Sequence, residues 1–180
     1  MKQALLIIDI QNDYFQGGAM ELAGAEEAAQ QAILLIESFR SDEKPIVFMQ
    51  HIASEEASFF KPHTHGVHIH QSVEPQKGDV VLQKSYPNSF RDTALLTLLR
   101  KGGIQELIIC GMMTHMCVDT TVRAAYDLGF SCKLIGDACA TKTLEYEGRS
   151  VDSKEVQASY LAAIDGTFAE VLNTKVFLDL

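Results

Sequence analysis

The 180-residue sequence predicts an α/β fold: a doubly wound, three-layer arrangement around a mostly parallel six-stranded sheet. Three observations carry this. Short apolar runs alternate with longer stretches of helical periodicity along the whole chain. Four of the first five runs are rich in Val or Ile and none alternates strictly, the pattern of strands covered on both faces. Unbroken strand–helix alternation then implies parallel strands joined by right-handed crossovers.

The first strand is Leu5–Ile8. A helix follows over Gly24–Arg40, with Ala28, Ala32, Leu35, Ile36 and Phe39 on one stripe. Ile46–Met49 is the second strand, and Val80–Leu82, entered through Gly78-Asp79, is the third. Asn88–Arg100 carries Phe90, Ala94, Leu95, Leu98 and Leu99 at helical spacing. Leu107–Cys110 is the fourth strand, closed by Gly111. Thr114–Leu128 places Cys117, Thr121, Ala124 and Leu128 on one helical face. Cys132–Ile135, between Gly129 and Gly136, is the fifth strand. Ser153–Leu172 is the last long helix, with Val156, Tyr160, Ala163, Ile164 and Phe168 inward, and a sixth strand is expected near Lys175–Leu178. No repeat, low-complexity tract or linker interrupts the chain, so residues 1–180 are expected to form one domain. The segment His51–Lys77 is longer than an ordinary connection, and long ordered loops are often functional.

Composition narrows the function classes. Lys and Arg number 15 against 24 Asp and Glu, a net charge of −9, which disfavours phosphate backbones and anionic membranes as partners. The longest nearly unbroken apolar run, Leu107–Met113, falls short of the roughly 18–20 residues of a membrane span. Ala4–Ile8 is too short for a secretory signal. The four cysteines Cys110, Cys117, Cys132 and Cys139 sit in a chain large enough to build its own core, so a reduced, cytoplasmic setting is expected. Cys110 and Cys132 fall inside strands and read as inert core; Cys139 falls in the loop after the fifth strand.

In open α/β sheets ligands bind beyond the C-terminal strand ends. The first strand ends on Asp9, the third runs out to Lys84, and Cys117 follows the fourth in Gly111-Met-Met-Thr-His-Met-Cys117. A free thiol has a pKa near about 8.5 and is mostly protonated at neutral pH. A position in the first helical turn, with Thr114 as cap, and a lysine cation nearby both favour the thiolate. A carboxylate accepts the thiol proton. Asp9, Lys84 and Cys117 therefore form a coherent base, electrostatic modifier and nucleophile.

At these residues the chain resembles the isochorismatase-like cysteine hydrolase superfamily, which includes nicotinamidases and N-carbamoylsarcosine amidases. The matching stretches are Asp9-Ile-Gln11-Asn-Asp13-Tyr-Phe15, Lys84, Cys110-Gly-Met-Met-Thr-His-Met-Cys117-Val, Arg123-Ala-Ala-Tyr-Asp-Leu-Gly129 and Asp137-Ala-Cys-Ala140. The resemblance implies the strand order 3-2-1-4-5-6 and a catalytic triad Asp9, Lys84 and Cys117. It implies an oxyanion hole of the Met113 and Cys117 backbone N–H groups, with a cis Met112–Met113 peptide. It implies hydrolysis of a C–N bond in a small amide, ureide or related substrate through a thioester acyl-enzyme. Asp9 would deprotonate Cys117, return the proton to the leaving amine and activate the water, while Lys84 stabilises the anions. In that order the Lys84 strand lies two places from the Asp9 strand, so the side chain must span about 10 Å. The resemblance also implies a homodimer or larger homo-oligomer, with a small molecule as the other partner.

Gln11, Phe15, Phe60, Tyr86, Phe90 and His115 are candidates for the substrate-binding wall, Phe59 beside them. No cofactor is expected. His51, His63, His65, His68 and His70 invite a divalent-metal reading. The resemblance weighs against it: nicotinamidases use an Asp-x-His pair after the second strand, where this chain has Gln50-His51-Ile52-Ala53. Two alternatives stand beside the amidase reading. One is an isochorismate-type vinyl-ether hydrolase, disfavoured because true isochorismatases commonly lack the cysteine that Cys117 supplies. The other is a non-catalytic or thiol-redox binding protein on the same fold.

Overall fold

A computed structural model describes residues 1–180. The strands are β1 Gln3–Ile8, β2 Ile46–His51, β3 Val80–Lys84, β4 Glu106–Met112, β5 Ser131–Ala140, β6 Leu144–Tyr146, β7 Arg149–Val151 and β8 Glu170–Leu172. The helices are α1 Ala25–Ser41, α2 Leu95–Lys101, α3 Asp119–Asp127, α4 Ser153–Ile164 and α5 Thr174–Leu178. Six strands form one parallel sheet in the order β3-β2-β1-β4-β5-β8, and β6 and β7 form a separate antiparallel hairpin. With β8 in sixth place, this is the expected 3-2-1-4-5-6 order. No helix is long and apolar enough to cross a membrane.

The continuous apolar strands are explained by helices on both faces. Leu5 and Ile7 of β1 join Ile108 and Cys110 of β4 under α1, against Ala28, Ala32, Leu35 and Phe39. Ala4, Leu6 and Ile8 point the other way, with Leu107 and Ile109, against Leu95 and Leu99 of α2, Val122 and Ala125 of α3 and Ile164 of α4. β1 and β4 lie side by side at the sheet centre, and every residue of β4 is buried. Gly111 permits their closest approach: its φ is +129°, and a Cβ there would stand 2.0 Å from the Ile8 carbonyl oxygen.

The C-terminal region departs from expectation. The sixth strand is Glu170–Leu172, not Lys175–Leu178. Helix α4 stops at Ile164 because Asp165-Gly166 turns the chain, with Gly166 at φ +72° and the Asp165 carboxylate accepting from Val171 N. Residues Thr174–Leu178 are instead helix α5, fixed where Thr174 N and Oγ1 both donate to Asp137 Oδ1 and where Phe177 stacks on Phe39. Helix α2 also starts later than expected, at Leu95, because Asn88–Thr93 is a turn region held by side-chain hydrogen bonds to its own backbone.

Candidate active site

Asp9 leaves β1 in a left-handed turn, φ +52°, its N–H donating to the Met49 carbonyl. Such a conformation is uncommon for a residue with a side chain and turns the carboxylate under the sheet's C-terminal edge. His51 ends β2 and Lys84 ends β3, paired in register, so His51 fills the strand position between Asp9 and Lys84. The Lys84 ammonium lies 2.7 Å from Asp9 Oδ2, 3.0 Å from His51 Nδ1, 3.1 Å from the Tyr86 carbonyl oxygen and 3.3 Å from Cys117 Sγ. Crossing two strand spacings is thereby accomplished by the side chain's own length, with both charged groups fully buried.

The shortest of these contacts joins opposite charges, so the ammonium is shared among the Asp9 carboxylate, His51, Tyr86 and Cys117. The Asp9 carboxylate oxygen, His51 nitrogen and Cys117 Sγ all lie within 4.8 Å of one another, so the carboxylate stands beside the thiol.

Cys117 sits in a five-residue π turn, Thr114–Val118, immediately before α3. Thr114 does not cap it; its hydroxyl turns to Gln157 Oε1 at 2.6 Å. By sequence, the helix terminus and the lysine are expected to favour the thiolate. The structure reverses the balance: burial and the Asp9 carboxylate hold the Cys117 thiol well above its usual range, with Lys84 opposing. Burial works against the Lys84 charge, but Asp9 and Cys117 outweigh it and its pKa is raised. Burial and Lys84 together lower His51, so its imidazole is neutral at pH 7. The resting arrangement is carboxylate, ammonium, thiol and neutral imidazole.

Above them lies a cavity of about 190 Å³. Tyr14, His51, Phe59, Phe60, Met113, Met116 and Cys117 line it, with Ala53, Ala57 and Pro87. The Met112–Met113 peptide is cis. A larger cleft, about 550 Å³, opens at the opposite end of the strands between Arg40, Pro45, Val80 and Leu99. It holds no cysteine or histidine, and its Arg40 and Asp79 are paired with each other, so the smaller cavity is the candidate active site.

Of the candidate wall residues, Phe59 and Phe60 reach this cavity and five do not. Gln11 is completely buried, and its amide is spent: Nε2 donates to the His51 and Val67 carbonyls, and Oε1 accepts from His51 N. Phe15 stacks on His70. Tyr86 offers its carbonyl to Lys84 while its ring lies under Arg91. Phe90 stacks on Phe130. His115 Nδ1 pairs with Thr141 Oγ1. Cys139 is not in a loop but inside β5, opposite Gly111, its thiol pushed up to about 12 by burial.

The motif around Asp9 acts as a buckle for the long loop. Besides Gln11, Asp13 accepts from Phe60 N (2.6 Å) and Ala19 N (3.1 Å), and Asn12 donates to the His65 carbonyl. Gly66 packs so tightly on Asp13 that a Cβ would meet Oδ1 at 1.9 Å. Asp13 thereby sets the position of Phe60 in the cavity wall. Histidines 63, 65, 68 and 70 do not converge on one point; the atoms that do, from Asp9, His51 and Cys117, already surround the Lys84 ammonium.

The Isochorismatase domain model matches residues 3–173. The chain belongs to the isochorismatase family. Among its relatives is the uncharacterized isochorismatase family protein YddQ of Bacillus subtilis strain 168, 46% identical over 179 residues, 99% of each chain. Ureidoacrylate amidohydrolase RutB of Enterobacter sp. strain 638 is 28% identical over 169 residues, 75% of this chain and 74% of that one. A crystal structure from Oleispira antarctica, assigned as an isochorismatase hydrolase, superposes with a TM-score of 0.96 at 42% identity, over 99% of this chain and 97% of that one. The isochorismatase family thus places this protein among hydrolases. Tyr14, His51, Ala53, Ala57, Pro87 and Met116 line the cavity without having been expected to. His51 carried a signal, since it ends the strand lying between those of Asp9 and Lys84.

Proposed function

We propose that the protein is a cysteine amidohydrolase that opens a C–N bond of a small amide or ureide. The observation that carries this reading is the buried contact set of Lys84 with Asp9 and Cys117 at the floor of the cavity. The amidohydrolase named among its relatives agrees with it. Asp9 takes the Cys117 proton as sulfur attacks the carbonyl carbon. Proton transfer concerted with attack suits a site whose resting thiol is neutral. The backbone N–H groups of Met113 and Cys117 receive the developing oxyanion. Asp9 then gives its proton to the departing nitrogen, leaving a thioester on Cys117. A water that loses its proton to Asp9 attacks the thioester and releases the acid and the thiol. Lys84 stays protonated throughout and stabilises each anion in turn.

The cavity limits the substrate. Pockets for drug-sized ligands run from about 300 to 1,000 Å³; at about 190 Å³ this one suits a single small ring or a short chain. Its wall is mainly aromatic and apolar, which favours a compact, largely uncharged body behind the scissile group. A homodimer or larger homo-oligomer, a reduced intracellular setting and work without a cofactor complete the reading. A hydrolysis screen tests it, read by ammonia release for small primary carboxamides and ureides and by the newly formed amine for lactams. Turnover of at least one compound of that size is expected; consumption of isochorismate with no amide turned over would favour the vinyl-ether alternative instead.

A further inference from the structure

His51 is placed to do more than fill the gap between two strands. Its backbone is clamped on both sides by one side chain, with Gln11 Oε1 accepting from His51 N at 2.8 Å and Gln11 Nε2 donating to His51 O at 2.9 Å. Its Nδ1 faces the Lys84 ammonium at 3.0 Å and stands 4.0 Å from Asp9 Oδ2. An ammonium can only donate, so Nδ1 carries the lone pair and the ring proton resides on Nε2. That nitrogen has no hydrogen-bond partner in the protein and is not sealed from solvent, and the ring forms part of the cavity wall beside Met113 and Cys117. The result is a ring in a largely apolar cavity wall that carries its N–H on the nitrogen turned away from Lys84, with tautomer and backbone both fixed.

We infer that His51 is a specificity-determining residue whose Nε2–H binds a second acceptor oxygen of the substrate, a carbonyl or carboxylate beyond the scissile group. The scissile oxygen itself is served by backbone N–H groups, so a side-chain donor meets a different atom. The substrate class narrows accordingly to small amides or ureides bearing a further carbonyl or carboxylate oxygen. A purely apolar amide would leave this donor desolvated and unpaired, and a site built around a donor discriminates against ligands that lack the acceptor. The inference rests on Cys117 being the nucleophile of the proposed reaction.

The test uses two alkylating probes of similar size on the intact protein, so that no substrate need be known. Iodoacetamide carries a carbonyl oxygen one atom beyond the carbon that sulfur attacks; 1-iodopropane has none. The ratio of their rate constants at Cys117 is read by peptide mass spectrometry and normalised to the same ratio for glutathione. Two variants separate the roles of the ring. His51→Asn keeps an amide near Nδ1 for Lys84 but removes the distal donor, whereas His51→Gln sets an amide N–H near Nε2. The normalised ratio should fall about three- to tenfold in His51→Asn, the worth of one hydrogen bond, and recover in His51→Gln. Equal slowing of both probes in both variants would show a structural role and overturn the inference. Labelling of Cys110, Cys132 and Cys139 would reveal a variant that has not folded, and the other variant then decides. A wild-type Cys117 inert to both probes would overturn the nucleophile reading itself, and the inference with it; a ratio unaffected by His51→Asn overturns the inference alone.

Discussion

The Lys84 ammonium contacts Asp9, His51, Tyr86 and Cys117 together, so the ion pair holds the carboxylate able to take the thiol proton beside the sulfur. Two consequences follow for Asp9→Asn. Turnover should fall by about 10²–10⁴-fold, the usual worth of a general base. The Cys117 thiol, relieved of the carboxylate's repulsion with Lys84 still beside it, should titrate at lower pH than in wild type. A pH profile of iodoacetamide labelling at Cys117 measures the second effect, and an unchanged profile would contradict it. Lys84 yields a prediction of its own. Its pKa is raised in the folded protein, so the stabilisation it contributes is complete below about 10.4 and is lost as pH rises through the folded value. The melting temperature should therefore fall at strongly alkaline pH more steeply in wild type than in Lys84→Met. At neutral pH Lys84→Met leaves a buried carboxylate without its partner, and a loss of about 3–5 kcal/mol is expected in denaturant titration.

Elements decide where these side chains meet. The apolar runs at Leu5–Ile8 and Leu107–Cys110 were legible as central strands because both faces are covered and no polar residue interrupts them. Asp9 and Lys84 were legible as strand-end groups for the same reason. The C-terminal part was less so. Val176 and Leu178 suggest a strand by composition, but both are partly exposed, and only Phe177, against Phe39, ties that segment to α1. The edge strand β8 is three residues long, too short for a pattern to show; its signal was the Asp165-Gly166 turn before it. The hairpin β6–β7 had a comparable signal in Glu147-Gly148, both at positive φ, and went unread. Gly111 is the element-scale position with least freedom. Gly111→Ala would drive a Cβ into the Ile8 backbone at 2.0 Å and should cost on the order of 4 kcal/mol or more, read as a lower denaturation midpoint.

Over the whole molecule, one loop converts a widely shared fold into a particular cavity. Asp9 and Lys84 stand at the C-terminal ends of β1 and β3, and Cys117 in the turn that follows β4, all at one edge of the sheet. Ala53, Ala57, Phe59 and Phe60 of that loop close the cavity, with Asp13 holding Phe60 and Gln11 and Asn12 tying down the loop further along, at Val67 and His65. That is why sequence reasoning found Asp9, Lys84 and Cys117 but assigned Gln11, Phe15, Tyr86, Phe90 and His115 to a wall they do not form. Charge and strand ends are local properties of a sequence, whereas the loop's path depends on hydrogen bonds between residues 40 to 56 positions apart. The cavity's small volume and mainly apolar wall point to a compact substrate held by few polar contacts. Cys117 carries the central claim. The most direct measurement is the initial rate of ammonia release from any small amide or ureide that the wild-type protein turns over, compared with Cys117→Ala at matched melting temperature. The variant should keep the fold and fall to the uncatalysed background; a Cys117→Ala protein that turned the same compound over at the wild-type rate would contradict the mechanism.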